Sequence, residues 1–120
     1  MQFPPAPLNF AKASLNFAKT KMYYTYILRS IKQPGAIYIG YTTDLKQRLA
    51  EHNDPKHKSY SKRHSPWMLE TYLAFSKESD AKRFEVYLKS NSGKAFMRKR
   101  LLSEEFKNAL AEFNNGRAGD

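Results

Sequence analysis

One stretch, Tyr23 to Asn53 (YYTYILRSIKQPGAIYIGYTTDLKQRLAEHN), restricts the fold of this chain more than any other. Tyr23 to Ser30 and Ala36 to Tyr41 are rich in aromatic and branched residues, which suit a pleated, half-buried surface and read as strands. Between them Gln33-Pro34-Gly35 marks a turn, so the two strands should form an antiparallel hairpin with a longer loop. A helix must follow at once. Thr43 or Asp44 can cap it, and Asp44 with Gln47 three residues on resembles a capping box. Leu45 and Leu49 lie one turn apart and should face the core, and Asn53 before Asp54-Pro55 should end the helix.

The rest of the chain extends this pattern. Residues 54 to 66 (DPKHKSYSKRHSP) form a polar, basic loop, and Trp67 to Phe75 reads as a third strand. Lys77 to Asn91 has the spacing of a helix, with Ala81, Phe84 and Leu88 as its buried stripe and Glu85 beside that stripe. Ser92-Gly93 is the expected end of this helix. Lys94 to Leu102 suggests a short basic helix. Ser103 can cap another that runs to about Phe113, where Glu104 and Glu105 suit the positive N-terminal end. The order strand, strand, helix, strand, helix, helix predicts a small α+β domain with a three-stranded sheet and helices packed over it. Residues 1–21 look different: they hold three of the six prolines and no acid, and Leu8-Asn9-Phe10-Ala11-Lys12 recurs as Leu15-Asn16-Phe17-Ala18-Lys19. We expect a flexible extension over 1–21, the folded domain over 22–102, and a helix with a frayed tail over 103–120.

Composition narrows the function classes. A chain of 120 residues suits one compact domain, and 41% apolar residues can build its core. No apolar run reaches membrane-spanning length, and no secretory signal is expected. There is no cysteine, which excludes disulfides, thiolate zinc sites and a Cys nucleophile, and which fits a cytoplasmic location. The charge is +10, from 21 Lys and Arg against 11 Asp and Glu, so a polyanion is the expected partner, nucleic acid before any other; DNA rather than RNA is expected only from the resemblance given below. No residue pattern sets an oligomeric state, and none suggests a membrane partner.

The candidate chemistry sits on the hairpin and the helix after it. Tyr26 and Tyr38 are ordinarily packing residues of a sheet, but alternation places Tyr24, Tyr26 and Leu28 on one face and Tyr38 with Gly40 on a face of the next strand. Gly40 precedes the helix entry, where a missing side chain would let a phosphate come close. Arg48 is either a solvated charge or a two-pronged phosphate ligand. His52 is either a helix-end residue favoured by the dipole or a proton acceptor near neutral pH. Glu85 is either an exposed helix former or a hard oxygen ligand for Mg²⁺. The three histidines lack zinc spacing, and there is no glycine loop for a nucleoside triphosphate. Lys56, Lys58, Lys62 and Arg63 with Tyr60, and Lys94, Arg98, Lys99 and Arg100, are either solvated or track a nucleic-acid backbone, with Tyr60 placed to stack on a base.

Together these residues resemble the GIY-YIG nuclease superfamily, and among it the small stand-alone bacterial members. The resemblance covers about residues 22 to 102. Tyr38-Ile39-Gly40 stands as the second half of the signature, and Tyr24-Thr25-Tyr26 as the first, with Tyr24 in place of its glycine. The stretch DLKQRLAEH matches the family helix with its Arg and His, Glu85 in SDAKRFEVYLK matches the metal-binding glutamate, and KSNSGKAFMRKRL is typical of the stand-alone members. The resemblance implies a metal-dependent endonuclease that hydrolyses phosphodiester bonds with one divalent ion, Mg²⁺ or Mn²⁺. It implies Tyr26 as activator of the attacking water, alone or with His52, and Tyr38 as positioner of that water or of the scissile phosphate. Arg48 would be the phosphate ligand and Glu85 the metal ligand. Structured, damaged or single-stranded DNA is the expected substrate, in repair or recombination. Members that incise damaged DNA often carry Lys after YIG, where Tyr41 stands here. The chain has no room for a separate DNA-binding domain, so specificity would come from substrate shape or from a partner protein. The alternative is a non-catalytic nucleic-acid-binding module of the same fold.

Overall fold

The computed structural model describes residues 20–56 and 63–118. The elements are β1 (Tyr23–Ser30), β2 (Ile37–Thr42), α1 (Leu45–Asn53), β3 (Trp67–Phe75), α2 (Glu78–Leu88), α3 (Asn91–Arg100) and α4 (Glu104–Ala118). The expected extension over 1–21 falls outside the described residues apart from its last two positions. The expected backbone-tracking residues Lys58, Tyr60 and Lys62 also lie outside them.

The sheet is three-stranded and antiparallel in the order β2-β1-β3, so the α+β architecture expected from the sequence is the one found. β1 is central, and its residues from Thr25 to Ser30 are all buried. Alternation sends its side chains to two different cores. Tyr26 and Leu28 pack with Trp67, Tyr38, Leu45 and Leu49 on the face that α1 covers. Ile27 packs with Leu88, Met97, Ile37, Ile39 and Phe84 on the face that α2 and α3 cover. Thr25, on that second face, donates its hydroxyl to the Ala81 carbonyl at 2.6 Å and fixes α2 against β1. A helix laid on each face explains why a strand rich in tyrosine can lie at the centre of so small a sheet.

β1 and β3 lose register between Ile27 and Leu28, where Leu28 faces Leu69 and Ile27 faces Thr71. Glu70 is left as the extra residue of a bulge. Its buried carboxylate meets Arg29 Nε at 3.5 Å and accepts the Ser103 backbone N–H at 2.7 Å. Arg29 also donates to Glu105 at 2.7 Å, and Phe106 is buried, so the start of α4 is tied to the sheet. Ser103 caps α4 as its sequence suggests, accepting from Phe106 N at 3.1 Å.

Three local expectations change. α4 runs on to Ala118 instead of ending near Phe113 in a frayed tail. The Asp44 cap forms, with its side chain accepting from Gln47 N at 3.0 Å, but the Gln47 amide turns to Glu51, so the box is half made. Ser92-Gly93 does not end the second helix. α2 stops at Leu88, and Ser90 caps α3 by accepting from Gly93 N at 3.1 Å. Gly93 lies inside the first turn of α3, where an added Cβ would stand 1.7 Å from the Tyr87 carbonyl oxygen. The glycine is needed for close approach of two helices, not as a stop. Gly93→Ala is expected to cost about 3 kcal/mol, since the obstacle is backbone and α3 must slide off α2. An unfolding free energy from urea titration that falls by less than about 1 kcal/mol would show that the two helices adjust freely.

Candidate active site

The hairpin register sets Tyr26 opposite Gly40 and Leu28 opposite Tyr38. Tyr26 is only 2% exposed, and its ring lies across Gly40, whose position would bring a Cβ within 2.4 Å of the phenol oxygen. The space above Gly40 is therefore filled by Tyr26 and not left open for a phosphate, which corrects the role that the sequence suggested for this glycine. Tyr38 stacks on Tyr26 with centroids 6.3 Å apart and planes 22° from parallel.

α1 closes the site from the other side. His52 is buried, its Nε2 lies 3.1 Å from the Tyr26 hydroxyl, and its ring meets Tyr38 edge-on at 4.5 Å. The end of α1 is held by Asn53, whose side chain donates to Trp67 O at 3.0 Å and accepts from Trp67 N at 2.6 Å. Trp67 in turn packs against Tyr38. Asn53 and Trp67 thus fix where His52 points. Neither stood out in the sequence, because a helix-end Asn and a core Trp are ordinary at such positions.

Arg48 sits one turn before His52, with its side chain 44% exposed and paired to Glu51 at 3.4 Å. Glu85 of α2 is 23% exposed in its side chain and is held by Lys89 Nζ at 2.8 Å. Both are close enough to act on Tyr26. Burial raises the phenol's pKa well above its ordinary value, and Tyr38 adds to the rise. Arg48 lowers it in part, while Glu85 and Glu51 raise it. Two strands and two helices thus bring Tyr26, Tyr38, His52, Arg48 and Glu85 to bear on one hydroxyl.

Of the other expected residues, Lys56, Arg63, Lys94, Arg98, Lys99 and Arg100 are all exposed. Tyr41, after the Tyr-Ile-Gly triplet, donates its hydroxyl to Glu78 at 2.7 Å and stacks on Tyr23, so it is engaged within the fold. Among the described residues, no three of the His, Cys, Asp and Glu side chains converge as a ready-made metal cage.

Comparison with known proteins places the chain in a family. The family model of the GIY-YIG catalytic domain matches residues 22–100. This chain belongs to the GIY-YIG family. Among curated GIY-YIG relatives, the UPF0213 protein YsiG of Lactococcus lactis subsp. lactis is 40% identical over 67 residues, 56% of this chain and 62% of that protein. A UPF0213 protein of Bacillus licheniformis is 35% identical over 75 residues, 62% of this chain and 75% of its own length. One from Streptococcus pyogenes serotype M3 is 39% identical over 70 residues, 58% of this chain and 74% of its own length. The chain spans a little under two thirds of the length of the Lactococcus relative. GIY-YIG membership assigns the chain to a family of nuclease domains. No described helix is long and apolar enough to cross a membrane.

Proposed function

We propose that the chain is an endonuclease domain that hydrolyses phosphodiester bonds in DNA, in structured, damaged or single-stranded substrates, with the help of one divalent ion. The supporting observation is the Tyr26 hydroxyl, hydrogen-bonded to His52 and within electrostatic reach of both Arg48 and Glu85. Its raised pKa makes phenolate a poor starting state at neutral pH. A relay avoids that state. The attacking water gives a proton to the Tyr26 oxygen as the phenol's own proton passes to His52 Nε2, and the hydroxide forms its bond to phosphorus as the bond to the leaving sugar oxygen breaks. Tyr38 holds the phenol ring, and Arg48 exchanges Glu51 for phosphate oxygens and offsets the charge that builds on them.

The donor set fits Mg²⁺ or Mn²⁺. One hard carboxylate, Glu85, is enough for an ion that keeps several waters and takes phosphate oxygens as further ligands. Such an ion supplies polarisation of the phosphate and stabilises the leaving oxygen. Glu85 would have to give up Lys89 to bind it.

The test is a nicking screen on hairpin, flap, nicked and single-stranded DNA, each with Mg²⁺, Mn²⁺ or a chelator, with wild type beside Glu85→Ala. Wild type is expected to cut only with metal. Glu85→Ala is expected to be slower by roughly 10- to 100-fold, because water and substrate supply the other ligands and excess ion compensates in part. Salt-sensitive binding without metal-dependent turnover would reduce the chain to a binding module.

A further inference from the structure

An open groove of about 460 Å³ adjoins the site at the free edge of β2. Its floor is apolar: Ile37 and Ile39 of β2, Met97 of α3, and Phe106 and Leu110 of α4. Its rim carries Lys89, Lys94 and Arg98. Two residues belong to both groove and site. Tyr38 lines the groove and stacks on Tyr26, and Lys89 lines it and holds Glu85.

We propose that this groove receives an unpaired stretch of the substrate strand beside the scissile phosphate, with bases against the apolar floor and phosphates against Lys94 and Arg98. The inference rests on the nuclease reading above and names its substrate class, which is a strand with an unpaired segment and not a continuous duplex. Three arguments carry it. Of the parts of a nucleic acid, only exposed base faces gain from such a floor. In a duplex these are stacked and paired away, whereas in a single strand every base offers one. The volume lies within the range of clefts that bury small organic groups, roughly 300–1,000 Å³, and is far too small for a duplex. The cations are arranged for a chain of phosphates: Lys94 and Arg98 lie one helical turn apart on α3, both exposed, and among the described residues neither makes an ion pair. A merely solvated basic face has no need of an apolar trough between its charges and the sheet edge.

The experiment is fluorescence anisotropy in chelator-containing buffer, so that binding is read apart from cutting. The probes are a blunt DNA duplex and the same duplex with a short unpaired tail at either end of one strand. Wild type is expected to bind a tailed duplex about tenfold more tightly than the blunt one. The double variant Lys94→Ala/Arg98→Ala, both positions exposed and safe for folding, is expected to remove that preference. It should also lower the salt slope for the tailed probe by about 1.4, the value for two phosphate contacts on a single strand. Leu110→Trp, which fills the trough, is expected to remove the preference and leave blunt-duplex affinity unchanged. Equal binding of blunt and tailed probes by wild type overturns the proposal, and so does a preference that survives both variants. In either case the nuclease reading stands if Glu85→Ala still slows metal-dependent nicking. Wild type that neither binds nor nicks any probe removes both. An acidic amphipathic peptide whose binding needs Lys94 and Arg98, while oligonucleotide binding ignores them, gives the groove to a protein partner and overturns the proposal.

Discussion

Tyr26→Phe is expected to lower the rate of phosphodiester cleavage by about 10³-fold, within the range for loss of a positioned proton-transfer group. The fold should survive it. The ring still packs with Leu28 and Trp67, and among the described residues only one hydrogen bond, to His52, is lost, at a cost of about 1 kcal/mol. Binding in chelator should be nearly unchanged, because the buried hydroxyl adds nothing to a basic surface. The pH profile separates two mechanisms. A phenolate acting directly would make the rate climb about tenfold per pH unit up to the phenol's own pKa. Burial raises that pKa above its ordinary value, so the climb would continue past pH 10. A relay through His52 instead gives a rate that rises as the imidazolium loses its proton and then levels off. We expect the levelled profile. A steady climb through pH 9 and 10 would discard the relay, and full activity in Tyr26→Phe would discard the role of Tyr26 altogether.

Much of this arrangement was legible in the sequence because it is built from short-range structure. Alternation along β1 and β2 fixes the face of Tyr26 and Tyr38, and the cap at Asp44 fixes the helical phase of Arg48 and His52. Those two residues nevertheless diverge in environment. The shared spacing of one turn did not show that His52 would be buried and Arg48 half exposed, because that depends on where β3 delivers Trp67. The approach of Glu85 to Tyr26 is a long-range fact set by the docking of α2, through Thr25 and Ala81, and local pattern carries no information on it. Lys94 and Arg98 show the same limit. Their spacing made a basic helix face, and only the packing of α3 and α4 beside β2 revealed the apolar trough below them. Gly40 and Gly93 were each given a local meaning, while what requires them is the ring or the carbonyl of another element.

Gly40→Ala is the sharper test of that last point, because the substituted residue makes no contact with substrate in the proposed mechanism. A Cβ at position 40 would stand 2.4 Å from the Tyr26 oxygen and 2.6 Å from its ring carbon Cζ, closer than real Cβ atoms come. One of them must move. The β2 backbone is held by its pairing with β1, and the Tyr26 ring is held by Tyr38, His52 and the core around Leu28. Overpacking of this kind costs roughly 1–3 kcal/mol. We expect the ring to be displaced and the His52 hydrogen bond to be broken, with cleavage falling roughly 10²- to 10³-fold, close to the loss in Tyr26→Phe. The pair should be strongly non-additive. Gly40→Ala/Tyr26→Phe removes the clash with the oxygen but keeps the one with Cζ, so it is expected to recover part of the stability that Gly40→Ala loses and none of the activity. Unfolding curves for the four proteins of the cycle, beside single-turnover cleavage rates, measure both couplings. If the two stability changes simply add, the rings are free to rearrange. If Gly40→Ala cleaves like wild type, the placement of the Tyr26 hydroxyl against His52 is not what the chemistry requires.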